Sequence, residues 1–187
     1  MLNRFFTLLA LLSPMVLSAC ANSLTVNEVN LRSDSTVLLR ESALRGEVET
    51  IVVGSLFENA NDRMVEAVTH AISASYHGPS ITFTGTPRYN PAGIRMVFLM
   101  NAPHGLDARH LCTSTDTVSP ATSSGNLRVL GALCRGEHTF RSALARGMAP
   151  SSLNDPLFAS YVSAITAHLL SPRETDRDCG DWPCSGG

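Results

Sequence analysis

The sequence predicts an α+β domain: a mixed or antiparallel sheet of about four or five strands with two helices on one face. Three observations predict it. Two apolar stripes at helical spacing stand near the two ends of the domain, Met64, Val65, Val68, Ile72 and Tyr76 in one and Phe158, Tyr161, Val162, Ile165 and Leu169 in the other. Between them lie β-branched or alternating apolar runs at Thr50–Val53, Ile81–Phe83, Ile94–Met100 and Leu127–Cys134. The last run is followed by Arg135-Gly136-Glu137, a turn that can return the chain over His138–Ala145 as an antiparallel partner. A more parallel α/β sheet is the alternative.

Composition narrows the function. The chain has 187 residues, 44% of them hydrophobic, enough for one domain with a real core. The formal net charge is −2, so a nucleic-acid partner is not expected. All 14 basic residues are Arg, and the lack of Lys excludes a P-loop lysine, a Schiff-base lysine and a Ser-x-x-Lys pair. Gly-x-Ser-x-Gly and His-Glu-x-x-His are also missing.

Taken in order, residues 21–35 are rich in Asn, Ser, Thr and Asp and read as a tether. Thr36–Leu39 can form a short strand and Glu41–Gly46 a helical turn. Glu49–Val53 reads as a buried strand ended by Gly54. Asn59-Ala60-Asn61-Asp62 supplies helix-start residues, and Gly78-Pro79 stops the first helix. Glu58, Asp62 and Glu66 read as its cap and solvent-face charges, and His70, His77 and His168 as surface or rim positions. Ile94–Met100 is apolar on both faces, which marks a central strand with Met96 and Met100 in the core. Leu111–Asn126 is Ser/Thr-rich and reads as a surface loop. Asp155-Pro156 is an N-cap with a first-turn proline for the second helix, which Pro172 ends. The domain is therefore expected over 47–172, between a tether over 20–46 and a tail over 173–187.

Five Cys are present. Setting Cys20 aside leaves Cys112, Cys134, Cys179 and Cys184, an even remainder that reads as two disulfides in an exported protein. Three pairings are possible, and sequence proximity favours Cys112–Cys134 with Cys179–Cys184. A four-Cys metal site is the other option, but the spacing lacks a Cys-x-x-Cys pair.

Cys20 is set aside because of what precedes it. Arg4 and the amino terminus supply positive charge, Phe5–Leu17 an apolar core interrupted by Ser13-Pro14, and Ser18-Ala19 small residues before a cut. The core is too short to span a hydrocarbon layer of about 30 Å as a helix. Leu17-Ser18-Ala19-Cys20 resembles the lipobox of bacterial lipoproteins. The resemblance implies removal of residues 1–19, acylation of Cys20 and a lipid anchor in the cell envelope. Three acyl chains at about 0.8 kcal/mol per buried CH₂ would hold such a protein on its membrane. Ala21, where an Asp resembles an inner-membrane retention signal in enterobacterial members, leans toward the outer membrane, facing the periplasm.

One further cluster carries chemistry. His104, Asp107 and His110 are metal-ligand types three residues apart, suited to zinc or nickel, although 3-residue steps on a helix drift about 60° each. A polar loop after a strand gives the same composition without a metal. No cofactor is expected. The functional expectation is a non-enzymatic accessory or assembly factor, anchored to the membrane by lipid and binding another envelope component. A small-molecule or metal-binding module, or an envelope hydrolase, is the alternative.

Overall fold

The structure is a computed structural model and describes residues 25–31, 40–41, 46–57, 60–90, 93–122 and 126–171. Its elements are β1 (Thr25–Leu31), β2 (Glu47–Val53), α1 (Asn61–Ser75), β3 (Thr82–Thr84), β4 (Ile94–Met100), α2 (His110–Thr113), a 3-10 turn (Thr115–Thr117), β5 (Asn126–Arg135), β6 (His138–Met148) and α3 (Pro156–Leu170). The six strands form one sheet in the order β1-β6-β5-β4-β2-β3. β3, β2 and β4 run parallel, and β4–β5, β5–β6 and β6–β1 pair antiparallel. The fold is α+β with a mixed sheet, as expected, but the described residues hold six strands rather than about four or five, and the short α2 beside the two expected helices.

The additional strand is β1, and it falls in the segment read as a tether. Thr25–Leu31 pairs along β6 from Thr25↔Arg146 to Leu31↔Arg141, with an irregularity between Glu28 and Asn30. An edge strand is held by one ladder only, so a polar run with few large apolar groups can form it without announcing itself. The parallel half follows from α1, because parallel neighbours need a crossover and α1 carries the chain from β2 to β3. The hairpin β5–β6 turns at Gly136, whose φ of 56° suits a residue without Cβ. The expected short strand over 36–39, most of the turn over 41–46, the signal and lipobox residues and the tail over 173–187 lie outside the described residues.

Alternation sorts the strands onto two faces. Val48, Phe83, Met96, Phe98, Met100, Leu127, Val129, Leu133, Ala143 and Ala145 point to one face, where α1 and α3 cover them with Met64, Val68, Ile72, Phe158, Tyr161, Val162, Ile165 and Leu169. α1 lies over β2 and β3, α3 over β5 and β6, and the helices pack against each other. The N-cap of α1 is Ala60, which has no capping side chain; the side chains of Asn59, Asn61 and Asp62, read as helix-start residues, lie outside the described residues. α3 starts as expected: Asp155 Oδ1 accepts from Leu157 N at 2.9 Å, Oδ2 accepts from Ser151 N and Oγ at 2.8 Å, and Pro156 follows. These donors, the Ser151 amide foremost, hold the Asp155 carboxyl below the usual carboxylate range.

The other face is covered by chain rather than by long helices. Val97, Leu99, Leu130, Ala132, Cys134 and Leu144 meet Ala102, Ala108, Leu111 and Cys112. Leu111–Asn126 is therefore only partly the surface loop expected: Leu111 and Cys112 are buried in α2. The expected Cys112–Cys134 bridge is present, with Cα atoms 5.6 Å apart, and it fixes α2 to β5. Arg95 adds a second tie, its Nη2 donating to Cys112 O at 2.5 Å. Cys179 and Cys184 lie outside the described residues. No helix among the described residues is long and apolar enough to cross a membrane.

Candidate functional site

The C-terminal ends of α1 and α3 lie side by side and leave a cavity of about 440 Å³. α1 contributes Ser75, followed by Tyr76 and His77; the chain then turns through Gly78-Pro79. α3 contributes Thr166, Ala167 and Leu170, and Arg40 and Ser171 stand at the rim. The sequence reads Tyr76 as the last apolar position of the first helix. In the fold it is the C-cap residue, with extended backbone, so its ring leaves the helix and stacks edge-on against Phe83 with centroids 5.3 Å apart. The Tyr76 hydroxyl is buried and has no hydrogen-bond partner among the described residues. Burial raises its pKa, so it is a neutral donor near neutral pH.

The far wall is held rigid by a buried arginine. Arg141, 3% exposed on β6, donates from Nη1 to His168 O at 3.0 Å, Ser171 O at 2.6 Å and Ser171 Oγ at 3.0 Å. It satisfies carbonyls that the end of α3 leaves unpaired and places a cation at the negative end of the helix. At the opposite end of α3, Tyr161 Oη donates to Met148 O at 3.0 Å. Nothing in a one-dimensional reading distinguishes Arg141 from a solvated strand residue, since its acceptors lie 27 and 30 positions away. Chemically the cavity offers apolar walls, the buried Tyr76 hydroxyl without a partner among the described residues, and a rim cation, Arg40. That combination suits a small amphipathic ligand or a side chain from a partner, held by burial and oriented by one hydrogen bond.

His104, Asp107 and His110 do not assemble into a ligand set. Among the described residues no group of three or more His, Cys, Asp or Glu side chains comes together to hold a metal ion. Asp107 is committed elsewhere: Oδ1 accepts from Arg109 N at 2.9 Å and Oδ2 from Arg109 Nε at 2.8 Å. The Arg109 side chain, then its amide, hold the Asp107 carboxyl below the usual range. The carboxylate thus orders the turn that leads into α2, while His104 and His110 are exposed. Glu66 and His70 sit on the rim of a second cavity of about 330 Å³ between α1 and the start of α3, His77 lines the first, and His168 is half-buried near the end of α3 with its carbonyl accepting from Arg141. Met96 and Met100 are core, as expected.

No known family model matches the chain, and no curated protein matches it. Two solved structures of PelC from Paraburkholderia phytofirmans, both dodecamers, resemble it in shape. A leucine-to-methionine variant gives a TM-score of 0.46, and the other structure 0.45. Each is 13% identical, with 81% of this chain and 100% of that chain covered.

Proposed function

We propose that the protein is a lipid-anchored component of the bacterial cell envelope, a non-enzymatic accessory or assembly factor that binds another envelope component. The observation that carries the reading is Leu17-Ser18-Ala19-Cys20 behind a basic and apolar leader. Cys20 is the acylated residue, and the domain faces the periplasm from the outer membrane. The Cys112–Cys134 bridge supports the same compartment, because disulfides persist in oxidising spaces. No nucleic acid is involved. Chemical cross-linking in intact cells, followed by purification of the full chain from solubilised envelopes, tests the binding role. A reproducible envelope partner that is lost when the exposed surface is altered supports it; recovery of the protein alone under all cross-linking conditions counts against it.

A second reading, a small-molecule binding module, is favoured by one specific observation: the unpartnered Tyr76 hydroxyl beside the apolar cavity between α1 and α3. Native mass spectrometry of protein purified without detergent exchange tests it. A retained small molecule that is lost on Leu170→Trp, which fills the cavity, supports this reading.

A further inference from the structure

We propose that the end of the sheet carrying Arg128, Arg146 and Met148 is the face the protein lays against an anionic phospholipid surface. The inference rests on the lipid-anchor reading of Cys20 and adds an orientation to it. β1 begins at Thr25, whose partner across the ladder is Arg146. Five peptide steps separate Thr25 from Cys20, and whatever their conformation they span no more than about 18 Å. An acylated Cys20 therefore holds this corner of the sheet close to the headgroups. The six-stranded order puts the opposite corner, at β3, on the far side of the sheet.

The corner has the chemistry that such a surface requires. Arg128 and Arg146 are directly opposed on β5 and β6, so both side chains rise from one face. Like charges in that position repel and are a liability unless an anion lies between them. Among the described residues neither forms an ion pair; the salt bridges there are Arg109–Asp107 and Arg135–Glu41. Arg128 is aimed rather than free, since its Nε donates to Ala102 O at 3.0 Å. Two positions beyond Arg146 on the same face stands Met148, 50% exposed, one of only two large hydrophobic residues that are exposed among those described. A paired cation with an apolar neighbour, within reach of the anchor, matches a phosphate headgroup above an acyl region better than it matches water.

The test uses the protein as purified from membranes after expression of the full chain, returned to vesicles of phosphatidylcholine alone or mixed with phosphatidylglycerol. Arginines are modified with phenylglyoxal and mapped by mass spectrometry. Arg63 and Arg88, exposed elsewhere, are internal controls. An arginine held at an anionic surface by the usual attraction is free about one-fifth of the time, so modification of Arg146 should slow about fivefold in the mixed vesicles while Arg63 and Arg88 are unchanged. Arg146 reacting as fast as Arg63 in both vesicles overturns the proposal. Equal protection by inorganic phosphate in detergent micelles also overturns it, since the pair would then be a small-anion site. Arg146→Gln, a substitution at an exposed position, should raise the reactivity of Met148 toward peroxide in mixed vesicles. Intact mass of the same sample reports acylation separately: a mass without the diacylglyceryl group removes the anchor reading, and the protection pattern still decides the face.

Discussion

Gly131 lies in the middle of β5 directly beneath α3, and replacing it probes why that helix sits so close to the sheet. A Cβ at this position would overlap Ile165 Cγ2 and stand 3.4 Å from Leu169 Cδ1. Both side chains are fully buried, and a β-branched Ile in a helix has essentially one rotamer, so neither can swing aside. Removing glycine from a strand stabilises by roughly 0.5–1 kcal/mol. Overpacking a closed core costs about 1–3 kcal/mol. Gly131→Ala should therefore lose about 1–2 kcal/mol net and lower Tm by roughly 2–8 °C for a domain of this size. In an Ile165→Ala background, itself about 2–5 kcal/mol less stable, the overlap is gone. There Gly131→Ala should be neutral or stabilising, a coupling of about 1–3 kcal/mol in the cycle. Urea and thermal unfolding of the four proteins measure it. Equal losses in both backgrounds would show that α3 does not rest on Gly131 and would refute the packing described.

Three further outcomes are expected. Cys112→Ala with Cys134→Ala frees a loop with a sequence separation of 22 and should lose about 3 kcal/mol, read by thermal unfolding, with peptide mapping of the unreduced parent showing this pair linked. Arg141→Met strands the acceptors at the end of α3 and should lose about 2–3 kcal/mol, with faster amide exchange in the last turn of that helix. The lowered pKa of Asp155 stabilises above the ordinary carboxylate pKa near 4 and is lost as pH falls through the lower folded value; Asp155→Asn keeps a capping side chain and should flatten that part of the Tm-against-pH curve.

The core elements are legible because they bury regular patterns. Ile94–Met100 is apolar at every second position on both faces except Arg95, and it is the strand flanked by β5 and β2 at the centre of the sheet. Asp155-Pro156 carries its own capping chemistry within three residues, so the start of α3 can be read locally. β1 is not legible, because edge pairing takes its hydrogen bonds from β6 and asks little of its side chains. The buried start of Leu111–Asn126, Leu111 and Cys112, is hidden by the Ser and Thr that follow it; only Cys112, through its distant partner, hints that the segment is pinned to the sheet. The cavity between α1 and α3 is hidden for a related reason. Tyr76 belongs to a helical stripe by spacing, and only the end of α1 one residue earlier turns it toward Phe83. His104, Asp107 and His110 fail in the opposite way: correct residue types were near in sequence, but Arg109, nearer still, took the carboxylate.

Metabolic labelling with palmitate tests the lipid anchor most directly. The full-length protein expressed in a bacterial host should incorporate label and sediment with envelopes, and Cys20→Ser should incorporate none. A Cys20→Ser protein that still labels and still fractionates with membranes would contradict the anchor at Cys20 and, with it, the envelope role.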